Sequence, residues 1–149
     1  MRRFVILAAT WFGTGFSPFA SGTVGTLGAI PLYLALARMP LTLYLLTTVA
    51  FTLFACWCAG FGEEIWGEHD SGKIVIDEVA GYLVTMIAVP PTFQGVLVGF
   101  LAFRFFDILK PQPARWFDRS LKNGYGVVLD DIAAGVYACA ATHLVLRLL

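Results

Sequence analysis

Two acidic pairs, Asp77-Glu78 and Asp130-Asp131, each stand just ahead of an apolar run. Carboxylates drawn together from distant parts of a chain supply the hard oxygen ligands that Mg²⁺ takes alongside retained waters, and Asp107 and Asp118 are candidates to join such a set. Either pair taken singly is accounted for by capping, because Asp is a good N-cap and an acidic first turn suits the helix macrodipole. In the stretch 103–111, Arg104, Asp107 and Lys110 recur at three-residue intervals and share one helical face. Two cations around one acid suit a phosphate held beside a metal. Upstream, nine of the fourteen residues in GTGFSPFASGTVGT (13–26) are Gly, Ser or Thr. Gly22, Thr23, Gly25 and Thr26 can therefore offer N–H and hydroxyl donors to a phosphate. The competing account is helix packing through small residues, such as Gly25 with Ala29. No Gly-Lys-Ser/Thr follows, so this is not a Walker loop.

The elements that must position these residues are greasy. Of 149 residues, 58% are hydrophobic and 13% charged, with a mean hydropathy of +0.77. That argues against an ordinary water-soluble fold and excludes disorder and a collagen-like or disulfide scaffold. Four stretches carry no Asp, Glu, Lys or Arg: 4–37, 39–62, 79–103 and 132–146. Two polar islands, 63–78 and 104–131, hold sixteen of the twenty charges and all ten acids. A helix needs about 20 apolar residues to cross the hydrocarbon core, and Leu41 to Phe61 supplies that length without interruption. Val24 to Ala37 is shorter and is punctuated by Arg38-Met39-Pro40, so the two predict a helical hairpin. Pro90-Pro91 breaks 79–103 into halves, giving either one kinked crossing or a segment that turns back to its starting side. Ile132 to Leu146 crosses only with help from its flanks.

The expectation is an all-α, multi-pass helical membrane protein of one domain, with about four to five apolar helices, helical hairpins and polar cytoplasmic islands. Orientation follows from Arg104, Lys110, Arg115, Arg119 and Lys122, which put the second island inside. The last three of these also read as an interfacial belt. Arg2-Arg3 and the apolar run after them imitate a signal peptide, but no small-x-small cleavage site follows. Cys56, Cys58 and Cys139 read as small buried hydrophobes. Ten basic residues balance ten acidic ones, which argues against a nucleic-acid partner. No Cys-x₅-Arg loop and no Asp-x-Asp nucleophile motif is present, and His143, inside the last apolar run, reads as structural. His69 is a candidate metal neighbour.

Taken together, GTGFSPFASGTVGT, IVIDEVAG (74–81), FRFFDILKPQPARWFDR (103–119) and GYGVVLDDIAAG (124–135) resemble the phosphatidylglycerophosphatase A family. Four motifs stand in order over most of the chain. The resemblance implies Mg²⁺-dependent removal of phosphate from phosphatidylglycerophosphate, yielding phosphatidylglycerol, at the cytoplasmic face of the bacterial inner membrane. It picks out Asp77, Glu78, Asp107, Lys110, Asp130 and Asp131. The implied roles are Asp77, Glu78, Asp107, Asp130 and Asp131 as metal ligands; Asp77, Glu78, Asp107, Lys110 and Asp131 in catalysis; and Arg104, Lys110 and the Gly-rich segment on the phosphate. One departure is Ser21, where many members carry Pro. A water or an Asp nucleophile, the number of ions and the oligomeric state stay open. Two readings of other classes compete: a small membrane transporter or channel with a cation path, and a noncatalytic lipid-binding protein.

Overall fold

The computed structural model describes residues 1–149 and contains seven α-helices and no strand. They are α1 (Arg2–Ala9), α2 (Ser21–Leu36), α3 (Leu41–Trp66), α4 (Ile76–Thr85), α5 (Phe93–Leu109), α6 (Ala114–Ser120) and α7 (Gly124–Leu148), with a 3₁₀ turn at Thr14–Phe16. Helix α4 is the hub: eight of its ten residues are buried, and α2, α3, α5 and α7 all pack on it.

Two helices, α3 and α7, are long and apolar enough to cross a membrane. Helix α2 is apolar but shorter. Of the four to five apolar helices expected, two thus reach spanning length, and the remaining apolar runs are cut shorter by Pro90-Pro91 or by the loop ahead of α2. Large apolar side chains lie exposed along α3 (Leu46, Val49, Leu53), α5 (Leu101, Phe105) and α7 (Val136, Leu144). That surface suits lipid rather than water.

The expected hairpin of α2 and α3 does not form. The two helices are consecutive but scarcely touch, because α4 takes the place beside each of them. Tyr33 of α2 and Tyr44 of α3 point into this shared core, donating hydroxyl hydrogen bonds to the carbonyls of Val89 (2.8 Å) and Leu83 (2.7 Å). Those bonds satisfy backbone acceptors where α4 ends and the Pro90-Pro91 turn begins. The turn sends the chain back: Arg104 near the end of α5 lies 4.0 Å from Glu78 at the start of α4. The segment 79–103 is thus a returning helical pair. His143 Nε2 lies 2.9 Å from the Ile87 carbonyl, and Cys56 and Cys58 are buried.

Helix α7 begins eight residues before Ile132. Asn123 caps it, accepting hydrogen bonds from the Tyr125 and Gly126 amides. Asp130 and Asp131 consequently sit inside the helix, and the capping account of that pair fails. Helices α4 and α7 approach backbone to backbone: a Cβ on Gly81 would lie 2.7 Å from the Asp131 carbonyl oxygen, and one on Gly135 2.5 Å from the Gly81 oxygen. This close approach carries the start of α4 beside the second turn of α7.

Candidate metal and phosphate site

The polar ends of α2, α4, α5 and α7 converge. Carboxylate oxygens of Asp77, Glu78 and Asp131 all lie within 4.8 Å of one another. Asp77 and Glu78 occupy the first turn of α4, behind Val75 at the N-cap, so neither is the capping residue itself. Asp77 Oδ1 accepts the Glu78 amide at 3.0 Å. Asp77 and Asp131 are 5% and 4% exposed, far below what an unpaired acid tolerates without a counter-charge. Asp107, one helix away on α5, is near enough to Asp131 to interact with it.

Burial is the main cause that drives the Asp77 carboxyl well above the usual range, and the neighbouring Glu78 adds to it. Glu78 is pushed up to about 8, again chiefly by burial, with Asp131 and Asp107 raising it and Arg104 lowering it. Acids so crowded repel one another unless a cation or a shared proton intervenes. Glu78 Oε2 is buried and makes no hydrogen bond. Three converging oxygens and an orphaned acceptor fit a hard divalent cation.

Beside this trio lies Arg104, 4.0 Å from Glu78. Its Nη1 is 2.5 Å from Asp107 Oδ2, yet Nη1 and Nε are buried without a hydrogen bond. The start of α2 closes over the same point. A Cβ on Gly22 would collide with Glu78 Oε1 and lie 3.1 Å from Arg104 Nη1, so any larger residue there would push the Glu78 carboxylate aside. No side chain caps α2, whose first amides have no intrahelical acceptor. Donors of that kind, with the positive end of a helix, suit an anion. Thr23 is half-buried in the same turn.

The remaining sequence-derived candidates fall elsewhere. Thr26 is fully buried and its hydroxyl donates to the Gly22 carbonyl at 2.8 Å, and Gly25 packs on Val75, so both face the interior of the bundle. Lys110 and Asp130, expected on the phosphate and the metal, are paired with each other. Lys110 Nζ lies 2.7 Å from Asp130 Oδ2 and 2.9 Å from Asp118 Oδ1. The reason is angular: successive residues on a helix diverge by about 100°, so Asp130 faces α5 and α6 while Asp131 faces α4. Burial disfavours the Lys110 ammonium, but the hydrogen bonds and charges of Asp130 and Asp118 outweigh it and raise its pKa.

Several contacts carried no readable signal. Glu63, in the last turn of α3, binds the His69 ring and accepts the Asp70 amide at 3.1 Å, closing the turn that follows the helix. Ser21, the departure from the family pattern, donates its hydroxyl to the Gly72 carbonyl at 2.7 Å and ties α2 to the loop before α4. A serine facing a distant loop cannot be paired from sequence alone.

An apolar helical bundle whose one polar end joins three converging carboxylates to an arginine with unbonded donors and an uncapped helix N-terminus defines a class: an all-helical protein with two helices of spanning length and an acidic cluster beside anion-suited donors. Comparison with known proteins makes the class specific. The phosphatidylglycerophosphatase A family profile matches residues 7–146, and the chain belongs to that family. It is 38% identical over 140 residues to phosphatidylglycerophosphatase A of Escherichia coli, covering 93% of this chain and 81% of that protein. The Haemophilus influenzae phosphatidylglycerophosphatase A is 40% identical over 134 residues, 89% of this chain and 82% of the relative. A Bacteroides thetaiotaomicron protein named as a candidate phosphatidylinositol-3-phosphatase is 42% identical over 141 residues, 89% of this chain and 87% of its own length. No solved structure matches at a significant level.

Proposed function

We propose that this chain hydrolyses phosphatidylglycerophosphate to phosphatidylglycerol and inorganic phosphate, with Asp77, Glu78 and Asp131 holding Mg²⁺ at the cytoplasmic face of the bacterial inner membrane. Membership of a family of phosphoric monoester hydrolases supports the reaction. The single observation that carries the metal is the carboxylate trio within 4.8 Å, Asp77 and Asp131 buried and Glu78 Oε2 lacking any hydrogen bond. Two apolar helices of spanning length support the membrane, and the cationic residues 104–122 beside the polar end support the inward orientation.

Bound there, Mg²⁺ supplies Lewis-acid polarisation of a phosphoryl oxygen and neutralises charge. The chain supplies the rest. Arg104, held by Asp107, turns its free N–H donors to the phosphate, and the Gly22 and Thr23 amides contact the same group from the other side. Water adds to phosphorus as the ester P–O bond breaks, and the departing glycerol oxygen takes up a proton to give phosphatidylglycerol. The acyl chains stay in the bilayer beside the exposed apolar faces of α3 and α5.

Phosphate release by the purified protein from mixed micelles of phosphatidylglycerophosphate, with Mg²⁺ or with a chelator, tests this. Release that requires the metal is expected. No release under either condition would favour the transporter or lipid-binding reading. Parallel micelles of phosphatidylinositol 3-phosphate test the substrate named for the Bacteroides relative, and faster turnover there would displace the glycerol headgroup from the assignment.

A further inference from the structure

The geometry points to a positioning role for Asp118, Lys110 and Asp130: drawn from α6, the end of α5 and α7, they form a charged clamp that sets the direction of Asp131 and keeps Asp130 out of the ligand set. This rests on reading Asp77, Glu78 and Asp131 as the residues that hold the metal.

Both oxygens of Asp130 are spent within the fold. Oδ2 accepts from Lys110 Nζ at 2.7 Å, and Oδ1 accepts the Asp131 amide at 3.0 Å. Asp130 is 4% exposed, so neither bond is readily exchanged for water. The chain of contacts therefore runs from Asp118 through Lys110 and Asp130 to the backbone of Asp131, whose carboxylate enters the trio. Lys110 has little room to do otherwise. It ends α5 in the left-handed region at φ 45°, where a lysine sits only under constraint, and its amide is bound to the Phe106 carbonyl at 2.8 Å. Helix α6 packs chiefly on α7, and Asp118 is its ionic link to α5. Partners of this kind, one step removed from the ligands, orient them and change metal affinity and activity by about ten- to a hundredfold when lost.

The rival role for Lys110 is a direct contact with the substrate phosphate. The two differ in what they move. A clamp changes metal affinity and kcat with KM preserved, and a phosphate ligand changes KM with metal affinity preserved.

The experiment uses the full chain in detergent, titrated with Mn²⁺ in the absence of substrate and followed by the paramagnetic signal of the free ion, together with kcat and KM on phosphatidylglycerophosphate. The central variant is the double substitution Lys110→Met with Asp130→Asn, which removes the clamp without changing net charge, so that altered cation affinity reports geometry. Mn²⁺ binding weakened about tenfold or more, a lower kcat and a KM within about twofold are expected. Asp118→Glu, which keeps the charge and moves the carboxylate by one methylene on a part-exposed side chain, should weaken Mn²⁺ about threefold and guards against a double variant that does not fold. Lys110→Arg should restore most of the wild-type affinity. Mn²⁺ affinity within about twofold of wild type in folded Asp118→Glu and in the double variant would overturn the clamp while leaving the trio intact. A raised KM at unchanged Mn²⁺ affinity would overturn it in favour of a phosphate contact. Wild-type protein that binds no Mn²⁺ would overturn the metal reading, and the clamp with it.

Discussion

Two charged clusters lie side by side at the polar end of the bundle, made of the same residue types, and they are satisfied to very different degrees. In the clamp, one lysine is bonded to two aspartates, and the second oxygen of Asp130 takes a backbone amide. In the trio, three acids converge with one cation at their edge, Arg104, which lies 4.0 Å from Glu78 and is paired with Asp107; Glu78 Oε2 and the buried Nε and Nη1 of Arg104 make no hydrogen bond. Buried polar groups in folded proteins are nearly always paired. A paired cluster holds helices together, whereas an unpaired one beside it marks where something else belongs. The contrast separates Asp131 from Asp130, which the sequence presents as equals.

The largest test of this contrast is Asp131→Asn or Asp77→Asn. Either should lower phosphate release at least about a hundredfold, the scale of losing one main electrostatic group from an active site. The metal-free variant should also melt higher than metal-free wild type, since one of the crowded acids is gone. Activity near wild type in both would dissolve the distinction. Arg104→Gln comes next. Losing a charge-assisted contact to phosphate is worth about 1.5–3 kcal/mol, so kcat/KM should fall about ten- to a hundredfold. Gly22→Ala brings a methyl group against Glu78 Oε1 and should cost about tenfold in kcat through misplacement, with melting temperature nearly unchanged. A large loss of stability instead would assign Gly22 to packing.

Gly81→Ala addresses what brings the clusters together. Its methyl would meet Phe103 and the Asp131 carbonyl, and a destabilisation of about 1–3 kcal/mol is expected in denaturant titration. The same crowding should show in the dependence of stability on pH. A carboxyl whose folded-state pKa is raised binds its proton more tightly in the folded protein, so stability is greatest at low pH and is lost as pH rises through the folded value. With Glu78 at about 8 and Asp77 also raised, the metal-free protein should lose melting temperature as the pH climbs from about 5 to 8. Added Mg²⁺ should flatten that slope, and a slope of the opposite sign would mean the trio is not crowded as described.

Much of the fold is readable from residue order. Leu41 opens α3 directly after Pro40, and Pro90-Pro91 separates α4 from α5 as two missing amide donors require. Pro111, which cannot continue a helical ladder, directly follows the Lys110 cap of α5. Other boundaries were obscured. Helix α3 runs past the apolar stretch to Trp66, since glutamates 63 and 64 are good helix formers. Helix α7 starts at Gly124, because the Asn123 cap outweighs the poor helix propensity of the two glycines after it. The pairing of α2 with α3 was misread because adjacency along the chain says nothing about α4 inserting between them. The hydroxyl of Thr26, read as a donor to ligand, was spent on its own helix.

Sequence alone was sufficient to establish that the chain is helical, that its charges are confined to a few short stretches between long apolar runs, that its acids gather into two islands, and which family it resembles. These are properties of composition and local order. Which acid faces which partner belongs to the tertiary structure. The helical repeat places Asp130 and Asp131 about 100° apart, but nothing local says which of the two points at α4. That rotation is set where Gly81 and Gly135 let α4 and α7 meet backbone to backbone, and where Lys110 reaches across from α5 to hold Asp130 aside.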